Sequence, residues 1–189
     1  MARGRGGDDG VRLFVALDPP DTVRRALTAW LRTQREVHAH VRSVPTENLH
    51  LTLAFLGTRS PAEIDAIADA VAAVGRDGSA MGLRTGPPVW LPPRRPRALA
   101  VEVHDDRGDL AMLHRSLVGV LADAIGWREA HPLRPHVTVG RRTSSEPMPR
   151  RGLSATPALN FAGEALTLYR STLDPDGARY AAVERVALV

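Results

Sequence analysis

A chain of 189 residues, 43% of them hydrophobic, is long enough to bury a real core in one compact unit. It contains no cysteine, which excludes disulfides, thiol nucleophiles and cysteine-ligated zinc or iron–sulfur centres. All 25 basic residues are arginine, which also excludes P-loop lysines, Schiff bases and lysine adenylates, and the net charge of +4 suits an anionic partner that arginine's planar fork can grip. No run of about 18 apolar residues and no secretory leader pattern occurs, so a cytoplasmic protein with no membrane attachment is expected. Nothing in the pattern demands more than a monomer.

Residues 1–10 are rich in Gly, Arg and Asp without apolar periodicity and read as a disordered lead-in to a single unit over 11–189. A first strand is predicted from Arg12 to Asp18. Asp18-Pro19-Pro20-Asp21 then signals a helix start with Asp18 as N-cap, and Val23, Ala26, Leu27, Trp30 and Leu31 form the apolar face of a helix ending near Val37. Trp30 reads as packing. A second strand covers about Leu49 to Gly57. Ser60-Pro61-Ala62-Glu63 matches a capping box and opens a helix whose stripe is Ile64, Ile67, Ala68, Val71 and Val74. A short strand near Met81–Arg84 leads into Gly86-Pro87-Pro88-Val89-Trp90-Leu91-Pro92-Pro93-Arg94-Arg95-Pro96, whose prolines predict an irregular loop between lobes. Another strand follows Arg97, and a helix from about Arg107 to Ile125 carries Leu110, Leu113, Leu117, Val120 and Leu121 before Gly126 stops it. A strand from about Pro135 to Arg141 precedes a polar loop over 142–157. Two closing strands, near Glu164–Leu173 and Ala178–Leu188, are joined by the hairpin signal Asp174-Pro175-Asp176-Gly177.

Two of these strands carry the same pattern: His50-Leu51-Thr52-Leu53 and His136-Val137-Thr138-Val139. Side chains two apart on a strand share a face, so each motif presents a His and a Thr together while its apolar residues turn into a core. The motifs lie 86 residues apart (50 to 136), and the strands that follow Arg12 and Arg97 lie 85 apart (12 to 97). Two offsets that agree within one residue predict an internal duplication of strand, helix and His-x-Thr strand, folded as two lobes across one cleft. Two imidazoles with two hydroxyls meet the needs of phosphodiester cleavage without a metal or other cofactor: one ring accepts a proton, the other donates one, and the hydroxyls donate to the phosphoryl oxygens.

These residues resemble the 2H phosphoesterases, and within them the LigT-like RNA 2′,3′-cyclic phosphodiesterases. The resemblance rests on Arg12-Leu13-Phe14-Val15-Ala16-Leu17, Asn48-Leu49-His50-Leu51-Thr52-Leu53-Ala54-Phe55-Leu56-Gly57, Arg134-Pro135-His136-Val137-Thr138-Val139 and Leu168-Tyr169-Arg170-Ser171. It implies an α+β bilobal fold, with two pseudo-symmetric β-sheet lobes and outer helices around a central cleft. It also implies hydrolysis of RNA 2′,3′-cyclic phosphate ends to 2′-phosphates, with 2′,5′ ligation as the reverse reaction in some relatives. His50 is expected as the general acid toward the 3′ oxygen and His136 as the base on water, although pseudo-symmetry allows the reverse order. Thr52 and Thr138 are expected on the phosphate. Gly140 and the doubled Arg141-Arg142 depart from the family pattern: strict alternation puts Arg142 on the His136 face, whereas the family's habit points to Arg141, which requires a local bulge.

The expected partners are RNA ends or cyclic nucleotides, with Phe14, Phe55 and Tyr169 as candidate surfaces for base stacking. Phe14 and Phe55 belong to the core unless strand parity turns them to the cleft. No metal site is expected: His38-Ala39-His40 has ligand spacing but no carboxylate cluster beside it, and His104, His114 and His131 show no pairing. Arg94, Arg95 and Arg97 read as a solvated basic loop as readily as an RNA contact. Two other functions fit the same residues: a 2H enzyme acting on 2′,5′-linked oligonucleotides or small cyclic nucleotides, and a non-catalytic protein that binds RNA ends.

Overall fold

The computed structural model describes residues 10–34, 40–143, 153–174 and 177–188. The lead-in up to residue 9, His38, most of the 142–157 loop and the two central residues of the 174–177 turn therefore lie outside the described residues. In chain order the elements are β1 (Val11–Asp18), α1 (Asp21–Thr33), β2 (Val41–Ser43), β3 (Leu51–Arg59), α2 (Ile64–Asp77), β4 (Gly82–Leu91) and β5 (Ala98–His104). They continue with α3 (Asp109–Ile125), β6 (His136–Arg142), β7 (Asn160–Ala162), β8 (Ala165–Asp174) and β9 (Gly177–Ala187).

All strands join one antiparallel sheet in the order β7-β4-β5-β6-β3-β1-β8-β9, with β2 paired to β6. The order is a palindrome about the β6/β3 seam: β5 corresponds to β1 and β4 to β8. This is the predicted duplication with one addition. β4 follows the first motif strand yet pairs with β5 of the other lobe, and β8 follows the second motif strand yet pairs with β1. The third strand of each repeat is exchanged, so neither lobe is made of one half of the chain. The seam itself is narrow, with a single register pair, Leu51 opposite Val137.

The helices bury the stripes their spacing predicts: Val23, Leu27, Trp30 and Leu31 on α1, and Ile67, Val71 and Val74 on α2. Each such side chain removed from water contributes about 1.5–3 kcal/mol. α2 packs on α3 and on β8 and β9, while α1 lies against β6. The capping box forms, with the Ser60 side chain accepting from the Ala62 N–H at 3.3 Å and the Glu63 carboxylate accepting from the Ser60 N–H at 2.9 Å. Gly126 ends α3 at φ +63, a left-handed conformation that glycine adopts without a Cβ clash.

Three expectations change. Asp18 does not cap α1, whose N-cap is Pro20 without a side-chain bond. Asp18 is instead 3% exposed and accepts hydrogen bonds from Thr167 Oγ1, Tyr169 OH and Arg185 Nε, all presented by β8 and β9. α1 stops at Thr33 rather than near Val37: the Gln34 backbone leaves helical geometry at ψ 68, and its side chain holds Ser154, donating to its Oγ at 2.7 Å and accepting from its N–H at 2.9 Å. The proline-rich stretch is not a loop throughout: β4 runs through Pro87 and Pro88 to Leu91. β7 pairs only with Gly82–Arg84, and the register with β5 is interrupted between Thr85 and Pro88. The missing proline N–H therefore falls at a bulge and an open edge, where no ladder bond is lost.

Candidate active site

Leu51 and Val137 are the middle residues of the two His-x-Thr motifs, and their pairing across the seam assembles the site. Antiparallel register sets His50 level with Thr138 and Thr52 level with His136. All four lie on the face opposite Leu51 and Val137, whose side chains are buried in the core. The two histidines are diagonal cross-strand neighbours, a relation that separates residues by about 7–8 Å. Together they line a cleft of about 530 Å³ with Thr52, Thr138 and Arg141.

Both imidazoles are anchored in the same way. His50 Nδ1 donates to the Asn48 carbonyl at 2.7 Å, and His136 Nδ1 donates to the Arg134 carbonyl at 2.6 Å. Each backbone bond fixes the Nδ1–H tautomer and leaves Nε2 with the lone pair. His50 Nε2 accepts from the Thr52 hydroxyl at 3.0 Å. Burial pushes His50 below the ordinary imidazole value, and the charge of Arg141 and the neighbouring His136 ring push the same way. The Asn48 carbonyl and the Asp18 carboxylate oppose them. The resting His50 ring is therefore neutral at pH 7.

Each motif strand has an irregularity just past its threonine. On β3, Ala16 pairs with Thr52 and Val15 with Ala54, passing over Leu53, after which Phe14 pairs with Phe55. On β6, Ala100 pairs with Thr138 and Leu99 with Gly140, passing over Val139, after which Ala98 pairs with Arg141. The inserted residue reverses parity, so the position five after each histidine returns to the cleft face. Phe55 occupies that position in one lobe and Arg141 in the other. Arg142 turns away and donates to the Pro96 carbonyl at 3.3 Å. Gly140 also explains itself: a Cβ there would collide with Val41, so glycine lets β2 pair with β6 where β3 leaves it.

The aromatic candidates separate. Phe55 is 72% exposed at the cleft. Phe14 touches the cleft but is 4% exposed, with its ring 4.9 Å from His50, stacked at 5.2 Å on Tyr169 and met edge-on by Tyr180 at 4.9 Å. Tyr169 stands beside Phe14 with its hydroxyl donating to Asp18. Burial first and that carboxylate second push its pKa up to about 12, so it remains a donor. Tyr180, 5.4 Å edge-on from His50, is a cleft residue the sequence did not reveal. Its place depends on the β8/β9 register, which sets it opposite Ser171.

Arg12 and Arg42 also line the cleft, and no carboxylate does among the described residues. Arg12 was legible in principle, since it shares parity with Phe14. Arg42 lies on a three-residue strand too short to have a period. Of the other histidines, His114 is buried with Nε2 3.0 Å from Glu129, and His104 and His131 lie outside this cleft. Arg94, Arg95 and Arg97 are likewise absent from it. Among the described residues no three His, Asp or Glu side chains cluster to hold a metal ion, and no helix is long and apolar enough to cross a membrane.

Known proteins resemble this chain over nearly its whole length. The chain is 29% identical over 178 residues to the RNA 2′,3′-cyclic phosphodiesterase of Escherichia coli, covering 94% of this chain and 96% of that protein. It is 30% identical to the protein of the same name from Thermus thermophilus, covering 94% and 90%. The crystal structure of E. coli LigT complexed with 3′-AMP superposes with a TM-score of 0.74 at 26% identity, over 96% of this chain and 99% of that one. The sequence model of the 2′-5′ RNA ligase superfamily matches residues 19–175, which span both His-x-Thr strands. The match of sequence model and fold over most of the chain shows that it belongs to the 2′-5′ RNA ligase superfamily.

Proposed function

We propose that this protein opens 2′,3′-cyclic phosphates at RNA ends and leaves 2′-phosphomonoesters. The observation that carries this reading is the Leu51–Val137 pair, which brings two identically anchored imidazoles and two hydroxyls to one cleft. The names of the E. coli and T. thermophilus relatives support the same substrate class.

In the reaction, water attacks phosphorus in line as the bond to the 3′ oxygen breaks. His136 takes the proton from water, and His50 gives one to the departing 3′ oxygen; the 2′ ester stays intact. Thr52, Thr138 and Arg141 hold the non-bridging oxygens, whose negative charge grows toward the transition state. Thr52 must turn its hydroxyl from His50 Nε2 toward the phosphate, which frees that nitrogen for the proton. A bound phosphate anion favours the imidazolium form of His50, offsetting the burial that keeps the empty site's ring neutral. Phe55 and Tyr180 offer the faces for a base, with Phe14 and Tyr169 packed as their support. The chain supplies its own proton carriers and anion donors, so activity survives EDTA.

The experiment is incubation of wild type, His50→Ala and His136→Ala with RNA ending in a 2′,3′-cyclic phosphate, followed by identification of the product isomer. Each single loss lowers the rate by roughly 10²- to 10⁴-fold, and the wild-type product is the 2′-phosphate. A 3′-phosphate product would overturn the choice of leaving oxygen, and undiminished turnover by either variant would overturn the mechanism. The depressed pKa of His50 also suits a base, the reverse order. Sulfur in place of the 3′ bridging oxygen leaves without protonation, so that substrate rescues whichever variant lacks the acid: rescue of His50→Ala supports the order given, and rescue of His136→Ala reverses it.

A further inference from the structure

We infer that Arg42 forms a second phosphate subsite, which holds the phosphate on the 5′ side of the reacting nucleotide and so makes the cleft selective for the ends of RNA chains. This rests on the reading of the site as a cyclic phosphodiesterase. The starting point is a register pair: Arg42 on β2 lies directly opposite Arg141 on β6, and both line the cleft. Directly opposed residues of an antiparallel pair have Cβ atoms about 4.5–5.5 Å apart, and like charges there repel. Neither arginine has a carboxylate partner among the described residues, and none lines the cleft around them. The two arginines thus bring two positive charges to one cleft, each able to hold an anion of its own.

The reacting phosphate does not need both. A cyclic phosphodiester carries one negative charge, and its transition state is already met by Arg141, a protonated histidine and two threonine hydroxyls. Arg42 is surplus to that centre, as is Arg12 on the opposite strand system. Its guanidinium also points away from the seam. A Cβ built on Gly177 would lie 3.6 Å from Arg42 Nη2, so the side chain reaches from β2 to the start of β9 at the rim of the cleft. Asn48 closes the same end by donating to the Ala178 carbonyl at 3.2 Å. A chain whose terminal ring sits between the histidines meets Arg42 with its next phosphate as it leaves.

The test uses two dinucleotides with 2′,3′-cyclic ends, one with an ordinary internal phosphate and one with an uncharged methylphosphonate linkage. Wild type prefers the charged linkage by about tenfold in kcat/KM, the scale of one charge-assisted hydrogen bond, mainly through KM. Arg42→Gln reduces that preference to about twofold or less, and Arg42→Lys restores part of it. The subsite is overturned if wild type shows no preference, or if Arg42→Gln keeps the wild-type ratio whatever happens to its absolute rates, because an arginine acting at the reacting phosphorus slows both substrates alike. A wild type that opens neither ring overturns the function reading itself, a result distinct from equal turnover of both.

Discussion

His50 is held in a state its proposed task must change. Burial, the Arg141 charge and the adjacent His136 ring keep it neutral, while Asp18 supplies an opposing negative charge from behind the aromatic layer. In the free enzyme the limb of the kcat/KM profile that belongs to His50 therefore falls below the ordinary imidazole value near 6.5, and in the kcat profile it moves upward because bound phosphate restores the proton. Asp18→Asn removes the carboxylate that favours the charged ring, so the kcat/KM limb shifts further toward acid. An unchanged or alkaline-shifted limb, measured on folded protein, would contradict this. The same carboxylate has a structural role that Ala exposes. Asp18→Ala leaves the buried hydroxyl of Thr167 and the half-buried hydroxyl of Tyr169 without their acceptor, at about 1–3 kcal/mol for the buried orphan, and urea titration should show a midpoint below that of wild type. The sequence named His50, Thr52, His136 and Thr138 because a doubled motif is local information. It misplaced Asp18 because Asp-Pro-Pro is a genuine helix-start signal, and nothing local says that three donors arrive from strands some 150 residues later.

At the level of elements, parity separates what could be read from what could not. The helices were legible because their apolar stripes repeat within one segment, and the motif strands because they alternate. The bulges at Leu53 and Val139 left no such mark, yet they alone bring Phe55 and Arg141 to the cleft and turn Arg142 to Pro96. β2 was invisible for another reason: three residues carry no period, and its place depends on a glycine on a different strand. That dependence is testable. Gly140→Val drives a side chain into Val41 and forces β2 from β6, an overpacking error of about 1–3 kcal/mol. At about 2–4 °C per kcal/mol for a chain of this size, Tm drops by several degrees. Gly82→Ala on β4, where an added Cβ meets nothing within 4 Å, stays within about 0.5 kcal/mol. Equal melting temperatures for the two variants would remove the argument that Gly140 exists for close approach.

The whole molecule differs from two lobes laid side by side, because each repeat gives its third strand to the other. The duplication could be read from two matching offsets, but the exchange could not: β4 and β8 show no sequence preference for the distant strand over the near one. The exchange makes the lobes interdependent, and a single unfolding transition follows. Trp30 lies on α1, Trp90 on β4 and Trp127 after α3, so tryptophan emission samples well-separated elements. Its urea midpoint should coincide with that of far-UV circular dichroism, whereas a plateau between two transitions would mean that the lobes melt separately.

The β1–β8 pairing has one more consequence, for the timing of activity during synthesis. Phe14, which backs the His50 ring, is positioned by Tyr169, and β1 obtains its second neighbour only from a strand near the carboxyl end. A growing polypeptide that has already emerged with both histidines still lacks the wall that holds the first of them. A fragment cut before β8 keeps both histidines yet is expected to be inactive, because β1 and Phe14 lose the strand that places them.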